Sequence, residues 1–173
     1  MTTFYLLRHG RADFAFADQR RLISGYRELV PLTPLGREQM ETVTASLRGA
    51  GAELILTSPI TRALQSAAML SRALDLPFCV EFDLHEWIPD LTWRYDQEAV
   101  ADAAYREMMD LGGEWPAGET RNWELLSTVR QRVTAVLQRY TQLQRAIVVA
   151  HNVVIYSLTG QDLRTGTFTQ YTL

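Results

Sequence analysis

Short apolar runs alternate with amphipathic helical patterns along this chain, and that alternation limits the fold more than any other feature. Thr3 to Leu7, Glu53 to Thr57, Phe78 to Phe82 and Ala146 to Ala150 read as strands. Their near-continuous apolar character suits strands covered on both faces, as in a parallel sheet. Between the first two, Thr33 can cap a helix with Pro34 at its first position. Leu35, Met40, Val43 and Leu47 then fall at helical spacing, and Gly49 or Gly51 ends the element. Ser58-Pro59 opens a second helix, with Ala63, Leu64, Ala67, Leu70 and Leu74 facing inward. A third pattern runs from about Asp96 to Leu111 and a fourth from about Thr120 to Leu143. The fourth keeps Leu126, Val129, Val133, Val136 and Tyr140 on one face, and the tail from Thr167 to Leu173 reads as one more strand. The expected fold is α/β, a three-layer αβα sandwich around a mostly parallel central sheet. At 173 residues the chain fits a single domain, 1–173.

The stretch 83–118 interrupts this order. It holds Trp87, Trp93, Tyr95, Tyr105 and Trp115 together with Pro89, Pro116, Gly112 and Gly113. It reads either as an insertion packed on the sheet edge or as a substrate-facing lid.

In open α/β sheets, ligands bind outside the carboxyl ends of the strands. Polar residues wait at three such ends: Arg8-His9-Gly10, Thr57-Ser58 with Arg62 beyond it, and His151-Asn152. Singly, each histidine or arginine would read as a surface or capping residue. Three sites at equivalent topological positions can converge despite their wide separation in sequence. The chemistry they suit is phosphoryl transfer. A neutral imidazole is a competent nucleophile near neutral pH, and guanidinium groups match phosphoryl oxygens in a bidentate way. Gly10 is expected to let the backbone turn sharply and approach the anion closely.

Composition removes competing mechanisms. All 17 basic residues are Arg, so Schiff-base, pyridoxal-phosphate and P-loop lysine chemistry is excluded. The formal net charge of −3 offers no basic excess for nucleic acid or an acidic membrane surface. Cys79 is the only cysteine, which rules out an intrachain disulfide. A Cys-x5-Arg phosphate cradle would need Arg at position 85, where His85 stands, so Cys79 is expected to be a buried structural thiol. A metal site built from His9, His85, His151 and nearby acids has no short ligand spacing to support it. Met1 to Arg8 shows no basic leader and no run approaches the length of a membrane span, so the expectation is a cytoplasmic protein.

Leu7-Arg8-His9-Gly10, Pro31-Leu32-Thr33-Pro34-Leu35-Gly36-Arg37-Glu38-Gln39 and Thr57-Ser58-Pro59-Ile60-Thr61-Arg62-Ala63-Leu64-Gln65-Ser66-Ala67 form an ordered set. Leu84-His85-Glu86-Trp87, Gly118-Glu119-Thr120 and Val148-Val149-Ala150-His151 continue it. With this set the chain resembles the histidine phosphatase, or phosphoglycerate mutase-like, superfamily, over nearly its whole length and in the family's order. The resemblance implies that His9 is the phosphorylated nucleophile and that Arg8, Arg62 and His151 form the phosphate pocket. Glu86 stands where many members carry the general acid, and His85 reads as a loop neighbour. Ser24-Gly25-Tyr26 resembles a small-Gly-aromatic stretch of the family, which makes Ser24 and Gly25 candidates for substrate binding.

Two departures stand out. Arg11-Ala12 follow Arg-His-Gly where members often have an acidic or amide residue and Thr, and no Asn follows nearby. Asn152 replaces the usual Gly after the second histidine, and its N–H makes it a further substrate-binding candidate. The expected activity is hydrolysis of a small phosphate ester through a phosphohistidine, without cofactor or metal. The alternatives are phosphoglycerate mutase-type transfer and a phospho-ligand binding module without turnover.

Overall fold

The computed structural model describes residues 1–95 and 97–173. In chain order the elements are β1 (Thr3–Arg8), α1 (Phe14–Arg20), a 3-10 turn (Ser24–Leu29), α2 (Pro34–Leu47), β2 (Leu54–Thr57) and α3 (Thr61–Leu74). There follow β3 (Phe78–Val80), a 3-10 turn (Phe82–Leu84), α4 (Glu98–Asp110), α5 (Leu126–Gln138), β4 (Arg145–Ala150), α6 (Asn152–Thr159) and β5 (Phe168–Thr172). Among the described residues the strands form one sheet in the order β3-β2-β4-β1-β5, parallel except for β5. The fold is the expected α/β sandwich. Among the same residues no helix is long and apolar enough to cross a membrane.

Alternation along the strands sorts the core into two layers. Phe4, Leu6, Leu56 and Val148 face Val129, Val133 and Val136 of α5 and Val153, Val154 and Ile155 of α6. Tyr5, Leu7, Ile55, Ile147 and Val149 face Met40, Val43 and Leu47 of α2 and Ala63, Ala67 and Leu70 of α3. The register aligns Arg8 of β1 with Ala150 of β4, so the chain leaves both strands side by side. His9 and His151 follow at once, and His9 N–H donates to the Ala150 carbonyl at 3.1 Å.

Several local expectations change. Among the described residues β3 is an edge strand of three residues paired with β2, and the face that carries Phe78 and Val80 is left uncovered. Phe78 and Val80 are exposed, and Cys79 is half-buried with the Tyr140 hydroxyl donating to its Sγ at 3.5 Å. Leu35 is exposed, because the first turn of α2 packs through Gly36 instead. The second expected helix begins at Thr61 rather than at Ser58-Pro59, which puts Arg62 in its first turn. The fourth spans only Leu126–Gln138. The expected start of the third, Asp96, lies outside the described residues. Helices α1 and α6 were not anticipated.

Gly10 is needed for a different reason from the one expected. Its φ is not in the left-handed region, but a Cβ there would lie 2.2 Å from the Gly36 carbonyl oxygen. A Cβ on Gly36 would lie 2.3 Å from the Arg11 carbonyl oxygen. The glycine pair lets the loop after β1 press its backbone against the start of α2.

Candidate active site

The sheet's topology brings the strand-end residues together. The His9 and His151 rings meet edge to face, with centroids 5.0 Å apart. His9 Nδ1 lies 2.7 Å from the Gly10 carbonyl oxygen, which can only accept, so Nδ1 carries the proton and Nε2 the lone pair. Arg62 Nε–H donates to that Nε2 at 3.1 Å. Burial, the Arg62 and the Arg8 guanidinium hold the His9 pKa well below the ordinary histidine value, outweighing the Gly10 carbonyl. A neutral imidazole with its reactive nitrogen facing a guanidinium is the result.

His151 lies fully buried behind His9, its Nε2 2.7 Å from Ser58 Oγ and its Nδ1 buried without a hydrogen-bond partner. Burial, followed by Arg62 and His9, keeps it neutral as well. Arg62 comes from the first turn of α3, where the free N–H groups of a helix start add positive potential. Its Nη2 donates to Glu28 Oε2 at 2.8 Å and its Nη1 to the Glu28 carbonyl at 3.2 Å. The other Glu28 oxygen accepts from the Tyr95 hydroxyl at 2.8 Å. Glu28 desolvation is outweighed by this guanidinium, so its pKa falls below the usual carboxylate value. Arg8 donates through Nη1 to the Leu163 carbonyl at 2.5 Å and keeps a buried Nε without a partner.

Arg8, His9 and Arg62 line one end of a cavity of 370 Å³, whereas the fully buried His151 does not line it. Glu86, Trp87, Tyr95 and Tyr105 form its far wall, and Asn152 borders it. The Glu86 carboxyl accepts from Trp87 N–H at 2.9 Å, yet burial raises its pKa above the ordinary value despite that bond and Arg62. Asn152 spends its side-chain oxygen on Leu163 N–H at 3.2 Å. Ser24 and Gly25 are not brought to the cavity. They sit in the 3-10 turn whose later residues Arg27 and Glu28 do line it, with Ser24 N–H on the Tyr95 carbonyl and Gly25 against Trp93. His85 lies beside Phe82, with Nδ1 on the Glu86 carbonyl, and does not line the cavity. Among the described residues no group of three or more His, Cys, Asp or Glu stands where it could hold a metal ion.

The segment bearing Glu86 is held by an ion pair that sequence reasoning missed. Arg132 of α5 forks onto Glu124, Nε to Oε1 at 2.8 Å and Nη2 to Oε2 at 3.1 Å, with both side chains nearly buried. The same guanidinium donates to the carbonyls of Asp83 at 2.5 Å and His85 at 2.9 Å. Glu124 in turn accepts Ile88 N–H on Oε2 at 3.2 Å and Trp87 Nε1–H on its carbonyl at 2.6 Å. The available signal was weak. A helix running from Thr120 would carry Glu124 and Arg132 more than two turns apart, whereas the helix starts at Leu126 and leaves Glu124 free to fold back.

Comparison with known proteins places the chain in a family. The sequence model of the histidine phosphatase superfamily (branch 1) matches residues 4–167. The adenosylcobalamin/alpha-ribazole phosphatase of Escherichia coli (strain K12) is 26% identical over 155 residues, covering 87% of this chain and 74% of that protein. The phosphatase PhoE of Bacillus subtilis (strain 168) is 24% identical over 161 residues, covering 91% of this chain and 76% of that one. A mycobacterial glucosyl-3-phosphoglycerate phosphatase, solved as a complex with VO3, shares the fold. Its TM-score is 0.70 at 21% identity, over 98% of this chain and 90% of that one. A match over all but the ends of the chain, on a fold shared with solved phosphatases, makes it a member of the histidine phosphatase superfamily.

Proposed function

We propose that the chain is a metal-independent phosphomonoesterase that carries the phosphoryl group on Nε2 of His9. The observation that supports this most directly is the bond from His9 Nδ1 to the Gly10 carbonyl, which fixes the tautomer with the lone pair on Nε2, where the phosphoryl group would displace the Arg62 Nε–H. Arg8 and Arg62 take the phosphoryl oxygens, with His151 packed edge to face behind the His9 ring. Attack by Nε2 forms a P–N bond as the ester P–O bond breaks, and Glu86 gives its proton to the departing alkoxide. Water then gives a proton to the Glu86 carboxylate and attacks phosphorus, and the P–N electron pair returns to Nε2. The Arg8 and Arg62 guanidinium groups supply the charge a metal would otherwise bring. Within a single domain, residues 83–118 form the wall facing the leaving group, since Glu86, Trp87, Pro89, Tyr95, Ala101 and Tyr105 all border the cavity. The names of the relatives, phosphatases in each case, favour hydrolysis over transfer.

Rapid quenching with a phosphorus-labelled ester should trap a phosphoenzyme that is acid-labile and base-stable. His9→Ala should remove it and lower turnover by about 10⁴-fold or more. Activity should survive a strong chelator, and vanadate should inhibit as a transition-state mimic. Normal turnover by the alanine variant, or chelator loss reversed by a divalent ion, overturns the mechanism.

A further inference from the structure

The cavity has ends of opposite charge. Its inner end presents Arg8, His9 and Arg62, with Arg27 and Glu28 beside them paired to Asp18 and Arg62, whereas Glu98, Asp102 and Asp162, the last 3.9 Å from Arg8, stand at its mouth. Glu98 and Asp102 are four residues apart on α4, and with Ala101 and Tyr105 they make one stripe of that helix facing the cavity. Like charges at this spacing disfavour a helix. Partial burial, then the Asp102 carboxylate, raises the Glu98 pKa above the usual value against the pull of the Arg27 guanidinium, so the pair interacts at the rim. Neither carboxylate forms an ion pair among the described residues. Between the two ends, the Trp87 and Tyr105 rings meet edge to face with centroids 6.2 Å apart and give the cavity an apolar wall.

A second anionic group on a substrate would need a second cation. The chain contains no lysine. Arg8 and Arg62 serve the phosphoryl group, and Arg27 is committed to Asp18 at 2.8 Å. Arg11 opens onto an adjoining recess that shares Arg8, His9, Phe14 and Glu98 with this cavity but includes neither Trp87 nor Tyr105, so it lies off the wall against which the alcohol would pack. From this distribution, which rests on the phosphatase reading above, we infer that the cavity selects phosphate monoesters whose alcohol carries no second negative charge. Such an alcohol offers hydroxyl groups to Glu98 and Asp102 and a ring or apolar face to Trp87 and Tyr105. Phosphoglycerates and bisphosphates are rejected by repulsion at the mouth, which also removes the mutase-type reaction.

Glycerol 3-phosphate and 3-phosphoglycerate isolate the charge, because they differ only in a hydroxymethyl against a carboxylate. At low salt, kcat/KM should favour glycerol 3-phosphate by about 10- to 100-fold, the size expected for a few unit charges in a partly solvated site. Raising the salt to about 0.5 M should shrink the ratio by screening. The pair Glu98→Gln and Asp102→Asn should narrow it by improving 3-phosphoglycerate. Equal kcat/KM for the two esters, or a ratio unmoved by the double variant, overturns the inference. The affinities of both esters for His9→Ala, measured by calorimetry, separate this from the activity itself. An affinity ratio preserved without turnover in the wild type refutes hydrolysis and leaves the charge selection standing, whereas equal affinities refute the selection.

Discussion

The two ends of the cleft are held by different kinds of bond. At the phosphoryl end, His9 and His151 are fixed by backbone: adjacent parallel strands in register, the Gly10 carbonyl on Nδ1, and the His9 N–H on Ala150. At the leaving-group end, Glu86 sits on a segment without regular structure, tied to α5 by the Glu124–Arg132 ion pair and the carbonyls it collects. The first end follows from sheet topology and resists any change that keeps the sheet. The second depends on two side chains, so the proposed proton donor can be lost while the proposed phosphate pocket survives.

If that contrast is right, variants at the two ends should differ in which esters they affect. The largest effect is expected for Glu86→Gln, which should slow alkyl phosphates by about 10²–10⁴-fold and p-nitrophenyl phosphate far less. An alkoxide needs the proton badly, and p-nitrophenolate barely does. The raised Glu86 pKa keeps the acid protonated above the ordinary carboxylate range, and the lowered His9 pKa keeps the nucleophile neutral below the ordinary histidine range. The kcat/KM profile for an alkyl ester should therefore peak on the acid side of neutrality, and its basic limb should flatten in the variant. Burst kinetics must accompany the comparison, because a rate limited by dephosphorylation would affect both esters alike. Equal alkyl-ester rates for variant and wild type remove Glu86 from the mechanism.

Arg62→Lys comes next, at about 10²-fold in kcat/KM, because charge is kept and the planar fork lost. Here alkyl and p-nitrophenyl esters should suffer equally. A selective loss would place Arg62 with the leaving group and break the division.

The smallest activity effect is expected at the ion pair. Arg132→Met leaves the Glu124 carboxylate buried alone and should cost about 3–5 kcal/mol of stability, read from the urea midpoint. Adding Glu124→Leu should return most of that stability. The alkyl-ester rate should nevertheless stay about tenfold down relative to p-nitrophenyl phosphate, because the Asp83 and His85 carbonyls still lack their donor. A double variant with wild-type selectivity would show that the pair holds the fold and not the acid.

The same contrast explains what could be read in the sequence. Strands announced themselves as apolar runs, and the residues after them became a site through a topological rule, which is why His9, Arg62 and His151 were legible. β3 misled because an apolar run of three to five residues looks the same at an edge as in the middle of a sheet. Helix α6, Asn152–Thr159, was hidden because its Val-Val-Ile-Tyr core is apolar all round and too short to show a period. Helix α1 alternates Phe14-Ala15-Phe16-Ala17, a strand-like pattern, and its Asp13 cap went unread. Glu124 and Arg132, eight residues apart, left only a weak trace, since the carbonyls that Arg132 collects 46 to 49 residues away can be found only after the chain has folded. Glu28 was equally silent beside its own Arg62.

The contact between Gly10 and Gly36 has a dynamic consequence. Loops that carry reactive groups ordinarily fluctuate more than the elements they join. Here the backbone just after His9 touches the backbone of α2 with no side chain between them, and Thr33 N–H and the Thr33 hydroxyl both bind the Arg11 carbonyl. The two segments have no compliant layer to absorb relative displacement. His9, the proposed nucleophile, therefore inherits the small positional spread of a packed 14-residue helix instead of the wider one of a free loop, and is held in place before any substrate arrives.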